Sequence, residues 1–148
     1  MAAPTMAQIR AGIAANLAAV YQAPSLSAID QVQVSAYALD SPMPPTLQIK
    51  APDDIEYNES MGRYPMSIHT LIVQGFAGSA FTIAAQTLLD QWITPSGVKA
   101  AIEADRTLGG IVNDTVVQRL RHYGPFKLPS GSTFHGAEWV VLVYVPGA

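Results

Sequence analysis

The opening segment of the chain has the spacing of an amphipathic helix. Apolar residues recur three or four positions apart, at Met6, Ile9, Ile13, Leu17 and Val20. This spacing puts them on one stripe and predicts a helix over Met6–Tyr21. Thr5 is suited to cap it, because its hydroxyl can accept a free backbone N–H. The other face carries alanine and glutamine, and Arg10 is the only charged residue of the helix, so this face is either a second contact face or a product of the helix propensity of alanine.

Five later segments have strand-like composition. The pattern predicts strands over roughly 31–39, 46–50, 66–75, 111–122 and 137–145. The short segment 46–50 is expected at a sheet edge. Segments 66–75 and 137–145 are apolar on both sides, which favours central positions. Residues 123–136, which include several glycines and prolines, are expected to form an extended hairpin loop between the last two strands.

Two shorter helices are predicted between these strands. One spans residues 80–93 behind a Ser79 cap, and the other runs to residue 104 behind a Ser96 cap. Gly109 and Gly110 follow as a hinge, since glycine tolerates backbone angles that other residues resist. We therefore expect one domain spanning all 148 residues. It is expected to be α+β, with a mixed or antiparallel sheet of four to five strands and two to three helices packed on one face.

Residues 51–66 interrupt the apolar pattern and are expected to form an exposed loop. Four of the eleven acids of the chain lie here: Asp53, Asp54, Glu56 and Glu59. A calcium-binding loop needs a central glycine within a fixed pattern of ligands, and this segment lacks that pattern. The acids therefore predict a solvated loop, with a specific ion site, an electrostatic contact or a DNA-repelling lining as alternatives.

The chain is poor in charge, which bears on what covers its surface. Asp, Glu, Lys and Arg make up 13% of the residues, against about 25% in typical soluble domains. The cores of protein interfaces are depleted of charge in the same way. The composition thus predicts either several faces covered by other subunits or a weakly charged monomer. A net charge of −3 disfavours a grip on nucleic acid, which needs basic patches.

The sequence lacks cysteine and any leader or membrane-spanning segment, and both features bear on where the protein is expected. The chain has no cysteine, so it offers neither disulfides nor thiolate metal ligands. It shows no leader pattern, and its apolar stretches are far shorter than the ~20 residues of a membrane span. We therefore expect a soluble protein that is not exported by a leader.

Sequence motifs of catalysis are missing from the chain. It contains no nucleophile elbow, phosphate loop or dinucleotide fingerprint. His69, His122 and His135 lack metal-ligand spacing. His69 is expected in the core, whereas His122 and His135 flank the predicted loop and could approach each other. We predict that the protein is not an enzyme and binds no cofactor or metal, with a small hydrolase or ligand-binding domain as the alternative from another class.

One segment is distinctive enough to suggest a family. Residues 96–114, SGVKAAIEADRTLGGIVND, resemble a segment of tail terminator and related tail-completion proteins of long-tailed bacteriophages, especially those that infect actinobacteria. The resemblance continues in LIVQGFAG, LLDQWI, the closing GAEWVVLVYV and the opening MAQIRAGIAANLAAV. It covers most of the chain, and its most specific part is the ADRTLGG turn. Residues 51–66 and 123–136 lie outside it.

The resemblance implies a structural virion protein without a cofactor or covalent chemistry. Members of the family form a hexameric ring that caps the head-proximal end of the tail tube, ends its polymerisation and joins the tail to the head–tail neck or stopper protein. Genomic DNA passes through the lumen of the ring without sequence-specific binding. The expected location is therefore the virion, after assembly in the host cytoplasm, with no membrane partner. Another neck ring, such as a head-completion or stopper protein, is the alternative within this class.

The acidic segment supplies a hypothesis for the assembly contact. Segment 51–66 would contact the tail tube protein or an adjacent subunit and direct some acids toward the channel. The residues proposed for this role are Asp53, Asp54, Glu56, Tyr57, Glu59, Arg63 and Tyr64. A closed ring needs two different complementary patches on each subunit, and a low charge count is compatible with such coverage.

Overall fold

A computed structural model describes residues 3–27, 31–57, 66–80, 82–129 and 131–146 of the protein. Within these residues the elements follow the order α1 (Met6–Tyr21), β1 (Gln33–Ser35), β2 (Thr46–Ile49), β3 (Asp54–Glu56), β4 (Met66–Ser79), α2 (Ile83–Trp92), α3 (Val98–Ile102), β5 (Asp114–Lys127) and β6 (Thr133–Pro146). A 3₁₀ turn over Glu103–Asp105 extends α3. The predicted α+β class is confirmed.

The described strands form one mixed sheet with the order β1-β2-β4-β6-β5. The β1–β2 pair is parallel and the other pairs are antiparallel. Strand β6 lines one edge of β4 from Met66 to Ser79, so the remaining edge of β4 is shared by β2 and β3. The sheet therefore has six described strands rather than four to five, and the additional strand is β3, inside the predicted acidic loop.

Strand β2 was expected at an edge, and this expectation is wrong. All four of its residues are buried, and the strand lies between β1 and β4. The reason is that β1 pairs with it in parallel, with Val34 opposite Leu47, across the proline-rich connector. The predicted strand over 31–39 shortens to the three residues of β1.

The hairpin of β5 and β6 is longer than the sequence pattern indicated. Residues 124–127 and 133–136 pair with each other across the two strands, so most of the predicted loop over 123–136 is strand, and the turn lies between Lys127 and Thr133. The strand predicted over 111–122 begins instead at Asp114. Glycine and proline suggested a loop, but Gly124 and Pro125 pair with Gly136 and His135, directly after a register irregularity in which His122 has a φ of 56°.

The amino-terminal helix has the predicted bounds and the predicted cap. The Gln8 backbone N–H donates to Thr5 Oγ1 (3.2 Å), and the Thr5 backbone N–H donates to Gln8 Oε1 (2.8 Å). The two hydrogen bonds form a capping box that satisfies free backbone groups at the start of α1.

The caps predicted for the other two helices are wrong. Ser79 is the last residue of β4, and the hydroxyl of Thr82 accepts the Ala85 backbone N–H instead (3.2 Å). Helix α3 starts one residue after Gly97 rather than at a Ser96 cap. A Cβ on Gly97 would lie 2.5 Å from the carbonyl oxygens of two residues at the end of α2, so the close approach of the backbones requires glycine there.

The hydrophobic core lies between the sheet and the three helices, on one face of the sheet. Along each strand, residues of this core alternate with residues of the opposite face, as expected when helices cover one face of a sheet. Its largest contributors are Ile9, Ile13 and Leu17 of α1, Leu89 and Trp92 of α2, Ile102 of α3, and Leu47, Leu71, Val73, Trp139, Val141 and Val143 of the sheet. We call this side the covered face and the opposite side the open face.

Candidate assembly surfaces

The open face carries the alternate residues of the same strands, and no helix of the described chain packs on it. Ile72 and Val140 lie at its centre and face each other across β4 and β6. Each is 2% exposed, although neither belongs to the core cluster under the helices. Near the hairpin end, Phe76 contacts two more aromatic rings, those of Phe126 and Phe134. The open face thus has no helical cover among the described residues, although its central side chains are themselves buried.

A buried carboxylate organises the polar part of the open face. Glu138 is 4% exposed, and its Oε2 accepts Lys50 Nζ (3.2 Å) and Gln74 Nε2 (3.1 Å). Its Oε1 accepts Arg121 Nε (3.2 Å). Two cations and an amide therefore saturate this acid. It holds β2, β4, β6 and β5 together instead of standing ready as an acid or base.

The same polar row continues toward the first strands of the sheet. Gln48 Nε2 donates to Gln74 Oε1 (2.9 Å), and Gln48 Oε1 accepts the backbone N–H of Leu39 (3.0 Å). Sequence reasoning missed Glu138 because it lies within an apolar strand. The signal that could have found it is an acid inside the predicted strand AEWVVLVYV, next to its first residue, since buried acids are paired or hydrogen-bonded.

Only some of the seven residues proposed for the acidic contact lie in the part of the chain that the structure describes. Asp53, Asp54, Glu56 and Tyr57 lie along or beside β3, where the Asp53 backbone N–H donates to the Thr70 carbonyl (2.7 Å). All three acids are exposed, and Tyr57 is 69% exposed. Glu59, Arg63 and Tyr64 lie outside the described residues. The structure therefore places four of the seven candidates together on a short edge strand.

The opposite edge of the sheet is basic over its outer half. Strand β5 forms the sheet edge that lies opposite to β3. Its outer half, by which we mean residues 118–127, contains Arg119, Arg121, His122 and Lys127 but no acid. Arg121 is tied to Glu138, whereas Arg119 and Lys127 are exposed. The sheet is thus polarised, with acids at the β3 edge and bases at the β5 edge.

The inner half of β5 is protected by a side chain from the 3₁₀ turn. Glu103 Oε2 accepts the outward Val117 backbone N–H (2.8 Å), and Glu103 Oε1 accepts Lys99 Nζ (2.6 Å). Burial opposes ionisation of Glu103, but these hydrogen bonds and the charges of Lys99 and Arg106 outweigh it, so the pKa of Glu103 is lowered. A carboxylate in this position blunts an edge that could otherwise pair with another strand.

The distinctive ADRTLGG turn is a hydrogen-bonded structure. Asp105 Oδ1 accepts the Thr107 hydroxyl (2.9 Å) and its backbone N–H (3.2 Å), while Oδ2 accepts the Gly109 backbone N–H (2.9 Å). The hydrogen bond from the Thr107 hydroxyl contributes most to a lowered pKa of Asp105. Gly109 and Gly110 have φ of 76° and 90°, so the predicted need for glycine is confirmed.

This turn is docked onto the first helix. Asn16 Nδ2 donates to the carbonyls of Ile102 (2.9 Å) and Asp105 (3.0 Å). A Cβ on Gly12 would lie 2.9 Å from the Cβ of Leu108, which shows how closely α1 approaches the turn. Arg106 closes the loop with two hydrogen bonds to Asp114 (2.7 and 2.8 Å). The residues of the turn therefore position helices and strands rather than forming a reactive site.

The histidines do not converge on a ligand. His135 packs edge-on against Tyr123, with 5.1 Å between ring centroids, while His122 Nε2 lies 3.9 Å from Glu138 Oε1. Burial lowers the pKa of His69, whose Nδ1 has no hydrogen-bond partner in the described structure. Among the described residues, no group of three or more His, Cys, Asp or Glu side chains could hold a metal ion.

An apolar cleft of about 360 Å³ lies between the end of α1 and α2. Its lining includes Val20, Tyr21, Leu26, Val32, Leu88 and Trp92. Burial raises the pKa of Tyr21 to about 12, so its hydroxyl stays protonated at neutral pH. The lining residues include no carboxylate and no histidine, and thus offer no acid–base pair for hydrolysis.

The fold and its surfaces define an α+β domain with an open sheet face and two oppositely charged sheet edges. Comparison of the chain with models of known protein families and with curated protein sequences finds no match. No described helix combines the length and the apolar character needed to cross a bilayer.

Proposed function

We propose that this protein is a structural subunit of a tailed bacteriophage, the tail terminator. In this role it forms a hexameric ring that caps the tail tube, ends tube polymerisation and joins the tail to the neck. It acts in the virion at the head-proximal end of the tail, after assembly in the host cytoplasm, and it needs no cofactor and catalyses no reaction. The observation that carries the proposal is the pair of oppositely charged sheet edges beside a face without helices.

A closed ring places specific demands on the surface of each subunit. Each subunit must present two different patches, one for each neighbour, because a head-to-tail contact joins unlike surfaces. The edges at β3 and β5 are two such patches on opposite sides of one domain. The ends of the ring need further surfaces for the tube and the neck. A chain with 13% charged residues can present them without desolvating many ions.

Exposed apolar side chains support contacts at several sites. Met43 is 77% exposed and Ile83 is 82% exposed, and both lie away from the acidic segment in the chain. Single exposed apolar side chains are common on folded domains, so these two positions are compatible with tube or neck contacts without marking where they lie.

The acidic segment fits two roles in this ring. Asp53, Asp54, Glu56 and Tyr57, with Glu59, Arg63 and Tyr64 beyond the described part, contact the tube or an adjacent subunit. Acids that face the channel repel the phosphates of passing DNA, so genomic DNA crosses the lumen without sequence-specific binding. The net charge of −3 supports this role.

The test adds the purified protein to tail tubes that are growing from the tube protein of the same phage. We expect electron microscopy to show one ring at one end of each tube and elongation to stop. A variant with Asp53, Asp54, Glu56 and Glu59 changed to Lys is expected to lose capping and head joining. Tubes that keep growing with the unchanged protein contradict the proposal. Binding to the portal side instead assigns the chain to the alternative, a stopper or head-completion ring.

A further inference from the structure

We infer that neighbouring copies of this chain meet edge to edge, with the acidic strand β3 of one copy against the basic outer half of β5 in the next. This contact rests on the proposed ring and specifies its subunit interface. Its partner is a second copy of the chain, and its chemistry is charge complementarity between Asp53 and Asp54 on one side and Arg119 on the other.

The strand order prevents these charges from meeting within one copy. From β3 to β5 the sheet runs through β4 and β6, so three strand spacings, about 14 Å, separate the two edges. Exposed ion pairs need their charged atoms within about 4 Å of each other. The side chains of Asp53, Asp54 and Arg119 make no hydrogen bond or ion pair within the described residues, so these three remain available to neighbours, and a contact between unlike edges repeats from copy to copy.

The two charged groups also lie at nearly the same height along the strands. Asp54 is opposite Thr70 of β4. Arg119 is opposite Val140 of β6, which is in turn opposite Ile72 of β4. The offset is two residues of β4, about 7 Å along the strand. A small inclination of the strands to the ring axis brings the two groups level in adjacent copies.

Both groups belong to the same side of the sheet. Thr70, Ile72 and Val140 are open-face positions, and cross-strand neighbours share a face, so Asp54 and Arg119 belong to the open face as well. The contact therefore lies along the rim of the open face and makes these faces continuous around the ring.

Side chains rather than backbone hydrogen bonds dominate this contact. Strand β5 has two register irregularities and Pro125 in its outer half, and such features hinder pairing with a further strand. Complementary charges, by contrast, steer association and select register without a regular edge. Reversing one charge turns attraction into repulsion and gives a measurable loss.

The first experiment is a charge swap followed by sedimentation of the full chain. We expect Asp54→Lys and Arg119→Glu each to weaken assembly about tenfold or more, because like charges then face each other. The double variant is expected to recover most of the loss. Asp40→Lys makes the same charge change at another exposed acid and serves as the matched control, with no expected effect. Equal weakening by Asp54→Lys and Asp40→Lys, or no recovery in the double variant, overturns the proposed contact.

The second experiment uses the absence of cysteine from the chain. Ile55→Cys and Gln118→Cys place single thiols at the uncharged positions next to Asp54 and Arg119, so the two thiols lie level with each other in the proposed register, as a disulfide requires. We expect disulfides only when both thiols are present, and the double variant should give a ladder of cross-linked copies. Dimers from either single variant indicate contact between like edges and contradict the inference.

The outcomes separate the contact from the proposed function. A ring that forms and caps tubes, but shows neither charge recovery nor 55–118 cross-links, overturns the contact and leaves the function standing. A chain that neither assembles alone nor caps tubes overturns both.

Discussion

The two faces of the sheet use the same strands for different purposes. On the covered face, Trp139 and Val141 are buried under helices in one continuous core. On the open face, Val140 is just as buried, but its neighbour along the strand is Glu138 with its polar row. Strand alternation thus gives the sheet two different sides: both bury apolar side chains, but only the open face combines them with a hydrogen-bonded polar row.

The largest expected effect separates the two faces by stability. Trp139→Ala on the covered face should cost about 3–5 kcal/mol of unfolding free energy, because it empties a large volume under the helices. Leu142→Ala on the half-buried part of the open face should cost about 1 kcal/mol, since less of its apolar surface is buried. Urea unfolding of both variants measures the difference. Equal losses would show that the open face contributes to folding as much as the covered face.

An intermediate effect is expected from the buried carboxylate. Glu138→Gln leaves Lys50 and Arg121 without their counter-charge and should cost about 1.5–3 kcal/mol, the range for hydrogen bonds to charged groups. Asp54→Asn makes the same chemical change at an exposed acid and should stay within about 0.5 kcal/mol. Denaturant unfolding measures both, and a Glu138→Gln variant as stable as Asp54→Asn contradicts the structural role of Glu138.

The smallest expected effect concerns pH and the ADRTLGG turn. The pKa of Asp105 is lowered in the folded protein, chiefly by the hydrogen bond from Thr107, so its ionised form favours folding. This stabilisation is present above the unfolded value of about 3.9 and is lost as the pH falls through the lower folded pKa. Asp105→Asn should therefore have a lower Tm than the unchanged protein at pH 7, and the difference should close below about pH 3.9.

Thermal unfolding across this pH range checks the prediction, with Asp40→Asn as the control at an exposed acid without a hydrogen bond in the described structure. A Tm difference for Asp105→Asn that stays constant from pH 7 to pH 2 would mean that the charge of Asp105 does not stabilise the turn.

Local patterns predicted the helical part of the fold better than the sheet. Helix α1 and its Thr5 cap depend on residues within three or four positions of each other, so the local sequence is enough to predict both. Strand β3 depends on pairing with β4, and an acidic segment gives no local sign of such a partner. The outer half of the β5–β6 hairpin was misjudged because β-bulges allow glycine and proline within a paired strand.

The residues of the candidate assembly surfaces also differ in how far the sequence could predict them. The sequence was enough to predict that Asp53, Asp54 and Glu56 are exposed, because acids close to proline indicate a solvated segment whatever the fold. Glu138 was out of reach, since its partners Lys50 and Gln74 lie 88 and 64 positions away in the chain. The basic edge could not be predicted either, because the sequence does not show that β5 lies at the edge of the sheet.

The most direct test of the account is the mass of the assembled protein, measured by native mass spectrometry of the purified chain alone and after binding to tail tubes. Six chains of 15.7 kDa give about 94 kDa, and we predict this species, dissociating to monomers on reversal of Asp54 alone. A species of 15.7 kDa at every concentration, with no six-fold ring on the tubes, would contradict the claim that the charged sheet edges join copies into a ring.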